Sequence, residues 1–510
     1  MFTGRQILKN TFLLTAAALL LRLLSMLFQA YLAGRIGAEG LGGVQLVLSV
    51  SAFAATLGLA GARVAASCLC AEAYGKRDTA GLQGAAAHCL GYVLLTSTLA
   101  ATGLSFAAPW IARYALRLPE AEGSLRLLAG LVPVGCVNLV LGGYLTAAGQ
   151  VLRLTAVDAC ERVCCLGLSV LLLRSAPEGL GGACFALLGG DLLASCGAAA
   201  VLYGFYRQGW RGVSPSAEPP GLGRRVRKLA APLALSDFLR AALRTLEQLL
   251  IPWGLAQAGA SQQHAMAAYG TVTGMVFPVL MLPAAFLYAL IDLLIPELAA
   301  CRAQRRAERL QSVTRQCLRA GLLFGSFTAG LLFVLAGPLA QILYHSAEAG
   351  RLLRLFAPVA LVLYLDALVD GMLKGLSEQV ANVRYNTITS ALDVALLFVL
   401  LPRYGLGGYV FTFIAAHLVN FALSLRRLLR VTGLRASAGA AVRTALLAAG
   451  AGAAALLTPV PEAEAAELLL RGAVYVGAYG LAACVSGTAE LCIPESLLPA
   501  RRAEKARALR

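Results

Sequence analysis

The sequence predicts an all-α integral membrane protein with fourteen transmembrane helices, arranged as two six-helix lobes plus two C-terminal helices. Composition comes first: 59% of the 510 residues are hydrophobic and the mean hydropathy is +0.74, more apolar surface than a soluble fold of this length can bury. Uncharged runs such as Thr79–Ala112, Ala265–Ile291 and Ala320–Ala347 exceed the roughly 20 residues that cross hydrocarbon as a helix. The alternating ten-residue strands of a membrane barrel are absent from the pattern.

Apolar runs bounded by charge clusters and Gly/Pro breaks place spans near 9–33, 41–66, 82–108, 126–148, 155–173, 183–206, 230–256, 266–294, 316–338, 353–373, 383–401, 407–425, 438–457 and 468–490. The first follows Arg5 and Lys9, is too long for a cleavable signal and lacks a small-residue cleavage pattern, so it is retained. Six spans precede 207–228, a polar, basic, Pro- and Gly-rich stretch that reads as a cytoplasmic linker. The expected organisation is therefore an N-terminal lobe over 1–206, the linker, a C-terminal lobe over 229–430, and two extra helices with a basic tail over 431–510. A weak echo between the halves supports duplication: Gly149-Gln150, a span and Gly179–Gly182 parallel Glu378-Gln379, a span and Gly405–Gly408. Repeat-built transporters hold substrate between their repeats near mid-membrane.

Orientation follows from Lys and Arg. With a cytoplasmic N-terminus, the inside loops collect Lys76 and Arg77, the cluster from Arg207 to Lys228, the cluster from Arg302 to Arg319, and Arg426 to Arg435, as the positive-inside bias requires. Both termini then face the cytoplasm. The net charge of +17 is accounted for by topology and contact with anionic membrane lipids, with no call for nucleic acid. Reporter fusions or cysteine labelling should place 207–228, 301–316 and 494–510 inside and 458–467 outside; an external signal from 207–228 would overturn the two-lobe reading.

The pattern excludes most enzyme classes. The thirteen cysteines fall mainly in or at the ends of spans, and none joins the four histidines in a metal-ligand spacing; no metal site or catalytic residue is expected. No phosphate-binding Gly-rich loop and no nucleophile elbow occur, so uphill transport needs an ion or substrate gradient. A coupling Na+ or H+ is the one small ligand this leaves, with no other cofactor.

The informative residues are charges at membrane depth, each costing roughly 2.5–3.5 kcal/mol on insertion scales unless it meets protein, a counter-charge or water. In the first span Thr11, Thr15, Arg22, Ser25 and Gln29 share one face. In the seventh, Asp237, Arg240, Arg244 and Glu247 follow at i, i+3, i+7 and i+10, which either neutralise one another or present an alternating row to an anion. Asp366, Asp370 and Lys374 descend the tenth span; Asn382, Asn386, Ser390 and Asp393 line one face of the eleventh; Thr155, Asp158, Glu161 and Arg162 cluster in the fifth. Interhelical polar contacts account for most such stripes, although the oxygen-rich set around Asn386 and Asp393 could also hold a hard monovalent cation. Pro278, Pro283 and Pro296 in and after the eighth span bend the helix, suiting either a gate or a static kink.

Several segments resemble one family. Gly37-Ala38-Glu39-Gly40-Leu41-Gly42, Ala268 to Met275 with Pro278 and Pro283, Leu294-Ile295-Pro296-Glu297, Asp370 to Leu376 followed by Val383-Arg384-Tyr385-Asn386, and Leu423 to Leu428 are similar to the stage V sporulation protein B group of the multidrug/oligosaccharidyl-lipid/polysaccharide (MOP) exporter superfamily. The resemblance spans nearly the whole chain. It implies two lobes facing a central cavity, alternating access, and a lipid-diphosphate-linked sugar as cargo. Lipid II flippases of the superfamily are similar in part: a cavity Arg of their first span carries over to Arg22 and one of the second span to Arg63, whereas the Arg-Asp pair one turn after the first is replaced by Phe28-Gln29 and their eighth-span Arg has no match in 265–294. Arg240 and Arg244 stand in from the adjacent span.

Together these readings lead to the expectation of a flippase for a polyprenyl-diphosphate-linked oligosaccharide destined for peptidoglycan or another envelope or spore polysaccharide. Arg22, Arg63, Arg240 and Arg244 would bind the diphosphate; Asp237, Glu247, Asn386 and Asp393 would couple an ion or tune the arginines; cell-wall synthesis proteins are the implied protein partners. The alternatives are a cation-coupled multidrug exporter, whose cavity should be acidic and aromatic rather than Arg-lined, a membrane-embedded transferase, disfavoured by the missing motifs, and a non-transporting envelope-assembly scaffold.

Overall fold

A computed structural model describes residues 4–76, 78–177, 179–209, 221–434, 438–459 and 463–486, with backbone alone for 4–15, 79, 293 and 438. Every regular element among them is helical. The order is α1 (Gly4–Leu59), α2 (Ala62–Gly75), α3 (Thr79–Trp110, continued by a π turn Ile111–Ala115), α4 (Glu122–Ala147), α5 (Val151–Ser175), α6 (Leu180–Gly209), α7 (Leu222–Gln257), α8 (Gln262–Gly270), a π turn Thr271–Val276, α9 (Phe277–Met281), α10 (Ala284–Ala303), α11 (Ala307–Tyr344), α12 (Ala347–Gly375), α13 (Gln379–Thr432), α14 (Ala438–Leu457) and α15 (Glu464–Val485).

Eleven of these stretches are long and apolar enough to cross a membrane. Two of them are double: α1 turns at Gly37 and α13 at Gly405, both with positive φ. The stretch from α8 to α10 is one crossing interrupted near Pro283, and α5 and α7 supply two more whose charges keep them below a purely apolar threshold. Counted in this way, the described residues carry the expected fourteen crossings of a multi-pass membrane protein. Pro278 lies at the start of α9 and Pro283 caps α10, each at a break, whereas Pro296 sits inside an uninterrupted α10; of the three expected bends, that one does not interrupt its helix.

Two compact units emerge, one of Met1–Phe28 with Arg35–Gly270 and the other of Gln29–Gly34 with Thr271–Arg510. The division falls within the eighth crossing, so α7 and α8 pack with the first unit. The lobe boundary drawn from sequence at 207–228 lies earlier, and 210–220 are outside the described residues.

In the first unit the second crossing is broken at Ala60 and Gly61, both left-handed (φ 42° and 74°). The break frees carbonyls, and two hydroxyls of α3 capture them: Thr96 Oγ1 donates to Gly58 O (2.6 Å) and Tyr92 OH to Ala60 O (3.2 Å), which is how irregular backbone is tolerated at membrane depth. A Cβ on Gly61 would stand 2.5 Å from the Ala230 carbonyl oxygen of α7. Gly61→Leu is therefore expected to destabilise the protein by more than the ~1–2 kcal/mol of left-handed strain alone, read as a lower melting temperature in detergent; an unchanged midpoint would mean that α7 does not hold this contact.

The glycines of the family-like segments have the same steric cause. A Cβ on Gly42 would meet Met266 O at 2.3 Å, and one on Gly270 would meet Ala38 O at 2.0 Å, so the second half of α1 and α8 cross with backbones in contact, as small residues allow in membranes. At the end of α2, Glu72 accepts from Lys76 and from Arg225 of α7, 2.7 Å each. The Lys76 bond first, then Arg225, hold the Glu72 carboxyl below the ordinary range; this exposed clasp is intact at neutral pH and loosens as pH falls through that lowered value.

In the second unit α10, α11, α12 and the end of α13 share a core that includes Leu294, Leu298, Leu310, Leu368, Met372 and Leu428. α14 and α15 attach to α11: Tyr475 OH donates to Phe327 O and Tyr479 OH to Leu323 O, 3.0 Å each, with Val334 buried beside both tyrosines. Buried tyrosines are tolerated here because each hydroxyl finds an acceptor.

Candidate functional site

α7 carries the charged row of the first unit. Helical geometry puts Asp237, Arg240, Arg244 and Glu247 on one side, and Arg240 Nη2 donates to Asp237 Oδ1. The pair is about one-third exposed at each partner, so solvent screens part of its attraction. Arg240 Nε is buried without an acceptor among the described residues, a donor that a bound anion would complete. Arg244 is exposed and Glu247 half-buried. Arg22 lies exposed on α1, and Arg63 is exposed on the first turn of α2, immediately after the break at Gly61. Arg63 and Arg162 both act electrostatically on Asp158 of α5. Among the predicted anion ligands and their acids, the structure joins Asp237 to Arg240.

A second polar set in this unit has no single spacing in the sequence to mark it. Ser195 Oγ of α6 donates to Glu161 Oε1 of α5 (2.6 Å), Asn138 Nδ2 of α4 donates to Ser195 O (3.0 Å), and Cys165 Sγ faces Asp191 Oδ1 at 3.6 Å. Glu161 was visible as part of a charged stripe; Asn138, Asp191 and Ser195 are single polar residues in apolar helices, with no spacing to mark them.

In the second unit three polar pairs one helical turn apart converge. Asn420 Nδ2 on the second arm of α13 donates to both oxygens of Asp366 (3.0 and 2.9 Å) and to Asn386 Oδ1 (3.3 Å). Asp370 accepts from Asn386 Nδ2 (3.2 Å) and Ser424 Oγ (3.1 Å), and the Asn382 amide lies 3.1 Å from both of its carboxylate oxygens. Thr389 Oγ1 donates to Asn420 Oδ1 (3.1 Å). Both carboxylates are half-buried and are bonded by neutral amides and a hydroxyl; the nearest cation in sequence is Lys374, one turn beyond Asp370. Asn386 thus lies at the centre of an oxygen-rich set whose acids are Asp366 and Asp370. Asp393 is buried, 6% exposed, and Thr412 fully so. The pairs Asp366/Asp370, Asn382/Asn386 and Asn420/Ser424 each lie one helical turn apart, which is the available signal; the first two belong to the polar stripes read from the sequence, whereas the Asn420/Ser424 pair is not among them.

The comparisons agree with this architecture. Residues 15–171 match the MatE family model. The chain is 26% identical over 413 residues to stage V sporulation protein B of Bacillus subtilis (strain 168), covering 78% of this chain and 79% of that protein. Among solved structures it is similar to the lipid II flippase MurJ in an inward closed conformation, with TM-score 0.66 and 12% identity over 93% of this chain and 98% of the other. It is also similar to an inward-facing multidrug resistance MATE family transporter of the MOP superfamily, with TM-score 0.64 and 15% identity over 82% and 100%. The resemblance read from the sequence is borne out, the fold is that of the MATE and MurJ transporters, and these two solved relatives are a transporter and a flippase rather than enzymes.

Proposed function

We propose that this chain is a MOP-type flippase that moves a lipid-diphosphate-linked oligosaccharide, a peptidoglycan precursor or another envelope or spore polysaccharide unit, across the bacterial cytoplasmic membrane by alternating access. The observation that carries the proposal is Arg240: a cation at membrane depth, held by Asp237 through one nitrogen, with a buried Nε–H that has no acceptor among the described residues. A diphosphate oxygen satisfies that donor and adds a charge-assisted bond. Arg244, on the same face, supplies the second guanidinium, and Arg22 and Arg63 add positive charge from α1 and α2. Similarity to a lipid II flippase and to stage V sporulation protein B supports the reading without naming the sugar.

The free energy for cycling must come from differential binding to the two access states. Asp366, Asp370, Asn386 and Asn420 form the set suited to a proton or Na+, because amide and carboxylate oxygens are hard ligands for a small monovalent cation. Asp237, paired with Arg240, tunes that arginine, and Glu247 shares the role. Glu247→Gln with Asp237→Asn should accordingly weaken substrate affinity while preserving the dependence on Na+ or pH; loss of that dependence would transfer the coupling role to these two acids.

The likeness to a multidrug transporter favours a second reading, export of cationic amphiphiles coupled to an ion. Depletion separates the two: a flippase leaves its lipid-linked precursor on the inner leaflet, whereas loss of a drug exporter leaves precursor distribution unchanged and raises drug sensitivity.

A further inference from the structure

The eighth crossing carries an acid that belongs to none of the charged stripes. Asp292 sits in α10 among residues that pack inward: Ile291, Leu294, Leu298 and Cys301 join the core shared with α12, and a Cβ on Gly375 of α12 would stand 3.0 Å from Ile295 O. At about 100° per residue Asp292 turns away from that core, in one stripe with Pro296 and Ala299, and all three are exposed. About 15 Å of helix separates it from Arg302 at the end of α10, half of the ~30 Å of hydrocarbon. A carboxylate at that depth needs protein, a counter-charge or water. No side chain among the described residues bonds or pairs with Asp292, and its exposure excludes a protein cover. The backbone gives the same answer independently: Pro296 stands inside α10 and has no N–H for the carbonyl four residues earlier, which is that of Asp292. Freed carbonyls are tolerated at membrane depth where protein covers them or water reaches them, so this face of α10 is wet.

We propose that Asp292 receives a protonated amine of the cargo, which makes the substrate class a lipid-diphosphate-linked saccharide bearing a free amino group; the saccharide and its diphosphate rest on the flippase reading, the amine contact on Asp292 alone. The stripe selects the ligand. Its other members are Pro296 and Ala299, with Tyr288 half-buried one turn before Asp292, so this side of α10 offers a single carboxylate and no second acid or amide to complete the several oxygens that a hard metal cation takes. The Asp366–Asp370–Asn386 set provides those. An ammonium carried on a carbon frame needs one carboxylate for its charge and meets the apolar surface with the rest. The sign of Asp292 is opposite to that of the arginines on α7, so it discriminates on a different group of the cargo from the diphosphate.

Binding to the full-length protein in nanodiscs tests it, with an alkyl saccharide bearing a lysyl amine, charged at neutral pH, and its acetylated counterpart, neither of which contains a diphosphate. Wild type should bind the amine probe roughly tenfold more tightly, ~1.4 kcal/mol and close to the worth of one charge-assisted bond. Asp292→Asn should erase the preference through loss of affinity for the amine, moving the acetylated probe far less, and Asp292→Glu should restore it in part. Equal wild-type affinity for the two probes, or a preference undiminished in Asp292→Asn, would overturn the proposal, and the wild-type comparison decides it even where a variant melts early. The same two saccharides are then presented on a polyprenyl diphosphate in liposomes. An Asp292-dependent preference in binding with no translocation of either lipid would keep the amine site and overturn the flippase reading. Translocation of both at equal rates, with equal probe affinity, would overturn the amine site and leave the flippase reading intact.

Discussion

The double variant Arg240→Ala, Arg244→Ala is expected to abolish growth support in a flippase-deficient strain while remaining in the membrane at near wild-type abundance. Each guanidinium offers charge-assisted bonds worth about 1.5–3 kcal/mol to a diphosphate, so losing both removes ~3–6 kcal/mol, two to four orders of magnitude in affinity. Removing the arginines leaves the Asp237 carboxylate without the partner it has in the structure, so some loss of stability accompanies the change. For that reason abundance and melting temperature are measured beside complementation. Arg240→Lys with Arg244→Lys keeps the charges, loses the fork that engages two oxygens at once, and should restore transport in part. Normal growth of the alanine variant would show that α7 carries a self-compensated structural row, as would failure of every variant to insert.

Asp366→Asn with Asp370→Asn carries the second large effect. The cluster with Asn386, Asn420 and Ser424 is the described site in the second unit where two carboxylates lie one turn apart among neutral donors. Binding of a proton or Na+ there would bias one access state, and couplings of this kind amount to about 1–3 kcal/mol, or five- to 150-fold. The neutralised variant should transport more slowly by a factor in that range and lose its response to Na+ or pH, while its affinity for a lipid-diphosphate analogue stays near wild type. A rate that keeps the wild-type ion response would show the cluster to be interhelical packing and would return attention to Asp237 and Glu247.

The fold was legible because membrane helices announce themselves by length and hydropathy: the first unit's α3 and the second unit's α11 each follow an uncharged run visible in the sequence. Breaks were harder. Pro278 and Pro283 mark interruptions that proline sterics predict, whereas the break at Ala60 and Gly61 depends on α7 lying against Gly61 and on Thr96 and Tyr92 reaching the freed carbonyls, long-range facts that no local pattern contains. The site divides in the same way. The row on α7 is set by helical period alone, so Asp237 and Arg240 could be paired from their spacing. The Asp366–Asn386–Asn420 set needs α12 and both arms of α13 to converge, and the Gly405 turn that folds α13 back on itself is a tertiary feature that spacing within one span does not reveal.

Purified protein in liposomes, given a fluorescent polyprenyl-diphosphate-linked saccharide in one leaflet, provides the most direct measurement: the fraction of the label that becomes accessible to an enzyme or quencher confined to the opposite side. The diphosphate reading predicts protein-dependent translocation that Arg240→Ala with Arg244→Ala eliminates and that a lipid lacking the diphosphate does not share. Translocation equal to that of protein-free liposomes, or transport of the label irrespective of its diphosphate, would contradict it.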